Sequence, residues 1–300
     1  MQGFVFWLVY PLLWLISILP FRLFYLFSDL VYILVYHIVG YRKKTVEINL
    51  KLAFPEKSET ELNIIKKKFY HHMCDMFLEM IKTLTISEAE LKKRFVFTHS
   101  EDIETVNNLE KGVLVMCGHY ASYEWMISME VYGLKLKGHG IYKRIRNKYF
   151  DKLVKDIRGK FNTEMIESHR VVSTVARHQK NNLNGIYGMI ADQTPKRANY
   201  KFWTDFMGIK VPFFTGTEKL AKDFDMPVYY LEVEKVKRGF YEARLKKITN
   251  NPQSEPDFFI TTSFRDRLEA QIKAHPEYYL WTHKRFKHRN APIPENAVVK

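Results

Sequence analysis

Residues 3–21 carry no charge. This run constrains the fold more than any other feature of the chain: its nineteen residues, wound as one helix, rise about 28 Å, close to the hydrocarbon thickness of a bilayer. Arg22 ends it. Residues 23–39 are again apolar apart from Asp29 and His37, and Arg42, Lys43 and Lys44 follow. Pro11 lies inside the first run, which a membrane helix tolerates at the cost of a kink. Trp7, Tyr10, Trp14, Tyr25, Tyr32 and Tyr36 suit a membrane interface. Two other readings compete. A signal peptide would want a basic leader before the run and a small-residue cleavage site after it, and neither is there. A buried helical hairpin needs only partners to cover it. The sequence favours one membrane-inserted helix followed by a second that is interfacial or packed on the protein. The basic residues after both segments place the body on the cytoplasmic side. Residues 1–44 are read as the anchor and 45–300 as one domain, since no repeat and no long Gly/Ser or Pro linker interrupts them.

A formal charge of +14 calls for an anionic partner, whether nucleic acid, a membrane surface, or an acidic protein or substrate. The basic residues are scattered over many segments and no nucleic-acid reading motif occurs, which argues against nucleic acid. With 46% hydrophobic residues the chain is not a disordered one. Cys74 and Cys117 make no disulfide framework and no C-x-x-C, so the chain reads as reduced and cytosol-facing.

Past the anchor, Ser58 and Glu61 form a capping box. Leu62, Ile65, Phe69, Met73, Met76, Phe77 and Met80 then recur at helical spacing. Strands and helices alternate from there: a strand at 113–117, a helix at 121–132, a strand at 138–142, a helix at 147–160 and a short strand at 164–166. A helix at 171–179, a strand at 185–191 and a helix at 217–224 follow. Residues 227–236 and 240–248 form a hairpin turned at Lys237-Arg238-Gly239, and a helix at 255–274 comes last. The expected fold is α/β, a mixed, mainly parallel central sheet flanked by helices, with an N-terminal membrane helix.

The chemistry gathers at strand ends, where open α/β sheets bind ligands. His119 and Glu124 follow the apolar strand at 113–117 and Gly118. A histidine there can take a proton from an alcohol, and a carboxylate can hold its tautomer and stabilise the imidazolium. Within one helix, residues five apart diverge, so the pair works only if His119 precedes the helix and Glu124 lies in its first turn. Spacing alone is weak: His99 and Glu104 share it, in a polar stretch that reads as a helix N-terminus. Asp192 stops the strand at 185–191 and is either a site residue or a turn starter before Thr194-Pro195. Arg158, before Gly159, reads from its position alone as a cation complementing a helix C-terminus. Basic stretches at 142–146, at Lys196-Arg197 and at 283–289 suit phosphates, solvent or anionic lipid. Cys117, inside an apolar run, reads as a buried structural thiol rather than a nucleophile. There is no P-loop, dinucleotide turn or H-E-x-x-H, and the histidines show no metal-ligand spacing.

Four segments together resemble the lipid A late acyltransferase family, the lauroyl/myristoyl-type enzymes of the broader glycerolipid (lysophospholipid) acyltransferase superfamily. They are Asn49-Leu50 through Phe54-Pro55-Glu56-Lys57-Ser58 with Glu61; Gly118-His119-Tyr120-Ala121-Ser122-Tyr123-Glu124-Trp125; the stretch from Tyr142 through Arg158 to Asp192-Gln193; and Tyr279-Leu280-Trp281-Thr282-His283-Lys284-Arg285-Phe286-Lys287. The likeness covers nearly the whole chain. It implies His119 as general base with Glu124 as its partner, and substrate-binding roles for Arg158 and Asp192. Where the family often has Arg-Pro, this chain reads Tyr142-Lys143-Arg144-Ile145, with Arg144 placed for that work. Gln193 stands where the family often has histidine.

The resemblance further implies an O-acyltransferase at the cytoplasmic face of a bacterial inner membrane. It would move an acyl chain from an acyl carrier protein thioester to a hydroxyl of a lipid A precursor, with no metal and no organic cofactor. The alternatives are the same chemistry on another glycolipid or aminolipid, a hydrolase in which the same base activates water, and a membrane-anchored anionic-lipid-binding protein without activity.

Overall fold

The structure, a computed structural model, describes residues 2–196 and 200–300. Arg197, one of the basic residues singled out above, lies outside the described residues. Among them the main sheet has seven strands in the order β1-β9-β8-β2-β5-β3-β4. These are β1 (Phe95–Phe97), β2 (Val113–Cys117), β3 (Lys137–Tyr142), β4 (Glu164–Glu167), β5 (Gly185–Ile190), β8 (Val228–Lys237) and β9 (Phe240–Thr249). Every neighbouring pair is parallel except β8 and β9, the hairpin. The sheet is therefore mainly parallel, flanked by helices, as the alternation predicts. Strand β2 is apolar and buried along its whole length, as a strand covered on both faces must be.

Strand β1, a second sheet and the winding of one helix escape the sequence pattern. A second sheet joins β6 (Phe202–Phe206), β7 (Ile209–Pro212) and β10 (Val298–Val299). The segment expected as a helix at 121–132 is a 3-10 helix, Tyr123–Tyr132. The remaining α-helices among the described residues are α3 (Lys43–Ala53), α4 (Glu59–Lys82), opened by the Ser58/Glu61 capping box, α5 (Glu88–Arg94), α6 (Ser100–Asn107), α7 (Lys148–Gly159), α8 (Val171–Lys180), α9 (Gly216–Asp223) and α10 (Phe259–Ala274), after α1 (Gln2–Ile18) and α2 (Phe21–Tyr32) at the amino terminus.

The amino terminus forms two helical segments, as the sequence reading expects, but they part at Leu19-Pro20 and not at Arg22. Helix α1 (Gln2–Ile18) passes through Pro11 and stops before Pro20, and α2 (Phe21–Tyr32) continues as a π-helix, Ile33–Val39, ended by Gly40 at φ 64°. Proline disfavours helical backbone in the residue before it, which breaks the run at Leu19. Among the described residues, the helix long and apolar enough by length and composition to cross a membrane is Phe21–Val39, the second segment; the first is apolar but shorter. Both helices pack on α4. Lys82 Nζ donates to the Ser17 and Leu19 carbonyls at 2.7 and 2.6 Å, closing the end of α1. Phe6 stacks on Tyr149 of α7. The outward faces keep Phe4, Trp7, Leu8, Leu12, Leu26, Leu30 and Ile38 exposed.

Candidate active site

Parallel strands β2 and β5 are neighbours, with Cys117 opposite Ile190. Two residues beyond each lie His119 and Asp192, so the sheet delivers both to the same point at its carboxyl edge. His119 Nδ1 and Asp192 Oδ1 are 2.7 Å apart. With Nδ1–H donating to the carboxylate, Nε2 carries the lone pair. Gln193 Nε2 sits 3.2 Å from it, placed to donate. Gly118 precedes His119 because a Cβ there would stand 2.6 Å from Leu268 of α10. The loop after it is clamped by the carboxyl-terminal segment: Leu280 N–H donates to the His119 carbonyl, and Ala121 N–H, from a residue at φ 49°, to the Tyr278 carbonyl, both at 3.0 Å. Ser122 Oγ on the same loop donates to buried Glu79.

His119 precedes the helix and Glu124 lies in its first turn, the arrangement the spacing demands. Yet the carboxylate hydrogen-bonded to His119 is that of Asp192 and not that of Glu124. Both oxygens of Glu124 are taken by Arg158, which reaches from the last turn of α7 with Nε at 2.8 Å and Nη2 at 2.6 Å. Sequence spacing pairs His119 with the nearest carboxylate in the chain, whereas the β2–β5 register brings in one 73 residues away. Glu124 still contributes its field. Burial lowers the pKa of His119, but the charge and hydrogen bond of Asp192, followed by the charge of Glu124, raise it above the ordinary histidine value. Burial pushes the Asp192 carboxyl up, and the His119 charge and hydrogen bond hold it below the usual carboxylate range. Arg158 has its pKa lowered by burial and raised, on balance, by Glu124.

Arg158 does not merely complement a helix end: α7 runs on through Gly159 and the guanidinium forks onto Glu124. Asp192 is no simple turn starter, given its partner. Arg144 is exposed on the loop after β3, among exposed Lys143, Arg146 and Lys148, and is not brought to the His119 centre. Cys117 is buried, its Sγ 3.8 Å from Met126 Sδ, and burial raises its pKa. Three residues of the carboxyl-terminal signature stand close by without a role assigned from sequence. The buried Tyr279 hydroxyl faces Asp192. His283, its pKa lowered to about 4 by burial and therefore neutral, accepts from Thr194 N–H at 3.2 Å. Buried Arg285 lies over the Phe213 and Phe206 rings in the field of Asp192, its pKa lowered to about 10 by burial. The aromatic-basic run at 279–287 was the signal, but only the chain's return to this edge gives it a place.

Beside Glu124 and Arg158 opens a half-enclosed, mainly apolar cavity bounded by the 3-10 helix and by strands β3 and β5.

A mainly parallel α/β fold with a histidine held by a carboxylate at a strand end, next to an apolar cavity, suits general-base chemistry on a substrate that carries an apolar chain. A sequence model of the bacterial lipid A biosynthesis acyltransferases matches residues 1–288, and the chain belongs to that family. It is an O-acyltransferase. It is 24% identical over 290 residues to the lipid A biosynthesis lauroyltransferase of Escherichia coli (strain K12), covering 96% of this chain and 93% of that protein. The lipid A biosynthesis palmitoleoyltransferase of the same organism is 24% identical over 268 residues, covering 86% and 82%. The lipid A biosynthesis acyltransferase 2 of Shigella flexneri is 20% identical over 252 residues, covering 83% and 79%.

Proposed function

We propose that the protein transfers a fatty acyl chain from an acyl carrier protein thioester to a hydroxyl of a lipid A precursor, with His119 as general base. The observation that carries this reading is the pairing of His119 Nδ1 with Asp192 at 2.7 Å, which leaves Nε2 to accept a proton. The acceptor hydroxyl takes the position of the Gln193 amide at Nε2. As its oxygen attacks the thioester carbonyl, Nε2 takes the proton and Asp192 stabilises the imidazolium. The tetrahedral intermediate collapses with loss of the carrier thiolate, which His119 reprotonates. Arg158, fixed by Glu124 at the cavity mouth, supplies positive charge where the oxyanion develops. No acyl-enzyme is needed, and Cys117 takes no part.

The exposed cations around Arg144 suit an acidic carrier protein and the phosphates of the acceptor. The outward apolar faces of α1 and α2 rest in the cytoplasmic leaflet of the bacterial inner membrane. Helix α2 stays on the body there, since Asp29 bridges to Arg238 at 2.6 Å. The active site is thereby held at the surface where an insoluble acceptor resides.

The test is a membrane-fraction assay with acyl carrier protein thioesters and a phosphorylated lipid A precursor, wild type beside His119→Ala. A new ester, seen by mass spectrometry and absent with the folded variant, is the expected result. Release of free acid instead would mark a hydrolase. Turnover on a total lipid extract alone would remove lipid A as acceptor. Silence on every acceptor would leave a lipid-binding protein.

A further inference from the structure

His119 has two ring nitrogens, and the segment after β5 supplies a partner to each. Asp192 Oδ1 stands 2.7 Å from Nδ1, and the Gln193 amide nitrogen 3.2 Å from Nε2. The two partners are neighbours in the chain and are held differently. Asp192 is buried. Gln193 is half-buried, and its main chain is fixed on both sides. Ala191 N–H donates to the Cys117 carbonyl at 3.3 Å, Thr194 N–H to His283 at 3.2 Å, and Thr194 Oγ1 to the Arg285 carbonyl at 3.0 Å. Pro195 narrows the backbone freedom of Thr194 further. Among the described residues the Gln193 amide has no hydrogen-bond partner except His119. A rigid main chain thus carries a side chain that only the base holds in place.

The amide suits that position. Glutamine offers a donor and an acceptor at one tip. Unprotonated Nε2 accepts from the amide nitrogen. Protonated Nε2 donates to Oε1 after a half-turn of the terminal amide, a torsion with two broad wells. One side chain therefore covers the base in both of its states. The edge-on Tyr123 ring, 4.9 Å from the imidazole, closes another side. The charged and titratable groups that act on His119 are Asp192, Glu124, Arg158 and His283, and among the described residues none of them bonds to Nε2.

A free Nε2 would serve water as readily as a lipid hydroxyl. In hydrolysis the water oxygen attacks the thioester carbonyl while Nε2 takes a water proton. The C–S bond then breaks, the imidazolium returns its proton to the thiolate, and free acid and carrier thiol remain. In transfer the lipid hydroxyl takes the place of water and an ester remains. Either nucleophile must first displace the amide. A lipid acceptor offsets the lost hydrogen bond with contacts made elsewhere on its body. Water has no such contacts, and it loses its own mobility on binding.

We propose that Gln193 is a specificity-determining residue: its amide caps the base against water and gives way to the acceptor lipid, so that the acyl chain is transferred and not hydrolysed. The inference rests on the acyl-transfer reading above and adds what protects the thioester until the acceptor arrives.

The experiment follows free acid released from a long-chain acyl carrier protein thioester by the full-length protein in detergent, first without acceptor and then with a phosphorylated lipid A precursor. Removal of one hydrogen bond sets the scale: acid release without acceptor should rise about fivefold in Gln193→Ala. With acceptor, the ratio of ester to acid should fall by a similar factor. Gln193→Glu keeps the length of the side chain but puts an anion beside Nε2, which favours the imidazolium. The limb of acid release that rises with pH should then move up by about one pH unit. That variant serves if Gln193→Ala fails to fold by thermal unfolding. Acid release in folded Gln193→Ala at or below the wild-type rate overturns the proposal. So does an unmoved limb in Gln193→Glu. Ester and acid falling together at a constant ratio, the mark of a purely structural role, overturns it as well. If wild type forms no ester with the lipid A precursor while Gln193→Ala still releases more acid, the proposed function is refuted and this inference stands.

Discussion

Two buried charge clusters sit on either side of the Ser122 loop, and they are built differently. In one, Glu79 accepts from the hydroxyls of Tyr25, Ser122 and Tyr241, while Asp75 accepts from Ser28 and from Nε and Nη2 of Arg238. Both carboxylates are fully buried and saturated with protein donors. In the other, Glu124 is equally saturated by Arg158, but His119 keeps one nitrogen whose neighbour, the Gln193 amide, is a movable side chain. A closed network can only hold things together. An open one can exchange a proton with a visitor. The first cluster ties α2 to α4 and the β8–β9 hairpin, and through Ser122 it also steadies the loop that carries His119.

Substitutions can break this contrast. The largest effect belongs to His119→Ala, for which kcat falls about 10³-fold with the thermal unfolding midpoint little changed. Asp192→Asn follows, with kcat down roughly 10²-fold. The pH profile sharpens the assignment. Under the proposed mechanism activity requires neutral His119, whose pKa lies above the ordinary value of about 6.5. The limb of kcat/KM in wild type therefore rises with pH above that value. It moves to lower pH in Asp192→Asn and less in Glu124→Gln. The reverse order would return the partner role to Glu124.

The same pair stabilises the fold in a defined window. The contribution of His119, with its raised pKa, is complete below the ordinary histidine value and is lost as pH rises through the raised one. That of Asp192, with its lowered pKa, is present above the ordinary carboxylate value and is lost as pH falls through the lowered one. The stability difference between wild type and His119→Ala, followed by chemical denaturation, should shrink on alkalinisation.

In the closed cluster the effects fall on stability. Arg238→Ala leaves Asp75 buried with Lys235 and the His71 imidazole, each 3.8 Å away, as its remaining basic partners, and should cost about 3 kcal/mol in denaturant unfolding. Turnover per folded molecule should change little. Tyr25→Phe removes one of three hydroxyls on Glu79 and should cost about 1 kcal/mol. A large loss of turnover in Tyr25→Phe at unchanged stability would mean that α2 acts on the active-site loop and not simply on the fold.

Much of this architecture was legible beforehand. Strands β2, β3 and β5, helices α4 and α7 and the β8–β9 hairpin declare themselves through apolar runs and stripes, the Ser58/Glu61 capping box of α4 and the Lys237-Arg238-Gly239 turn. The β6–β7 hairpin does not. Its turn is Met207-Gly208, both at positive φ, and methionine there gives no turn signal. Met207 N–H is held by Glu269 of α10 at 2.8 Å, so a tertiary contact supports what the local sequence does not advertise. Strand β1, three residues long, is too short for its period to register. The 3-10 winding of Tyr123–Tyr132 is likewise invisible, because its apolar pattern fits either helix.

By itself the sequence determined the layered α/β class, the apolar amino terminus and the placing of His119 and Asp192 just past buried strands. All of these follow from local periodicity and from the polarity of neighbours in the chain. Only the tertiary structure decided that both amino-terminal helices lie on α4, that Asp192 and not Glu124 holds His119, and that Glu124 belongs to Arg158. Those outcomes depend on which strands lie side by side and in what register. A hydrogen bond between residues 73 positions apart leaves no trace in the spacing of either.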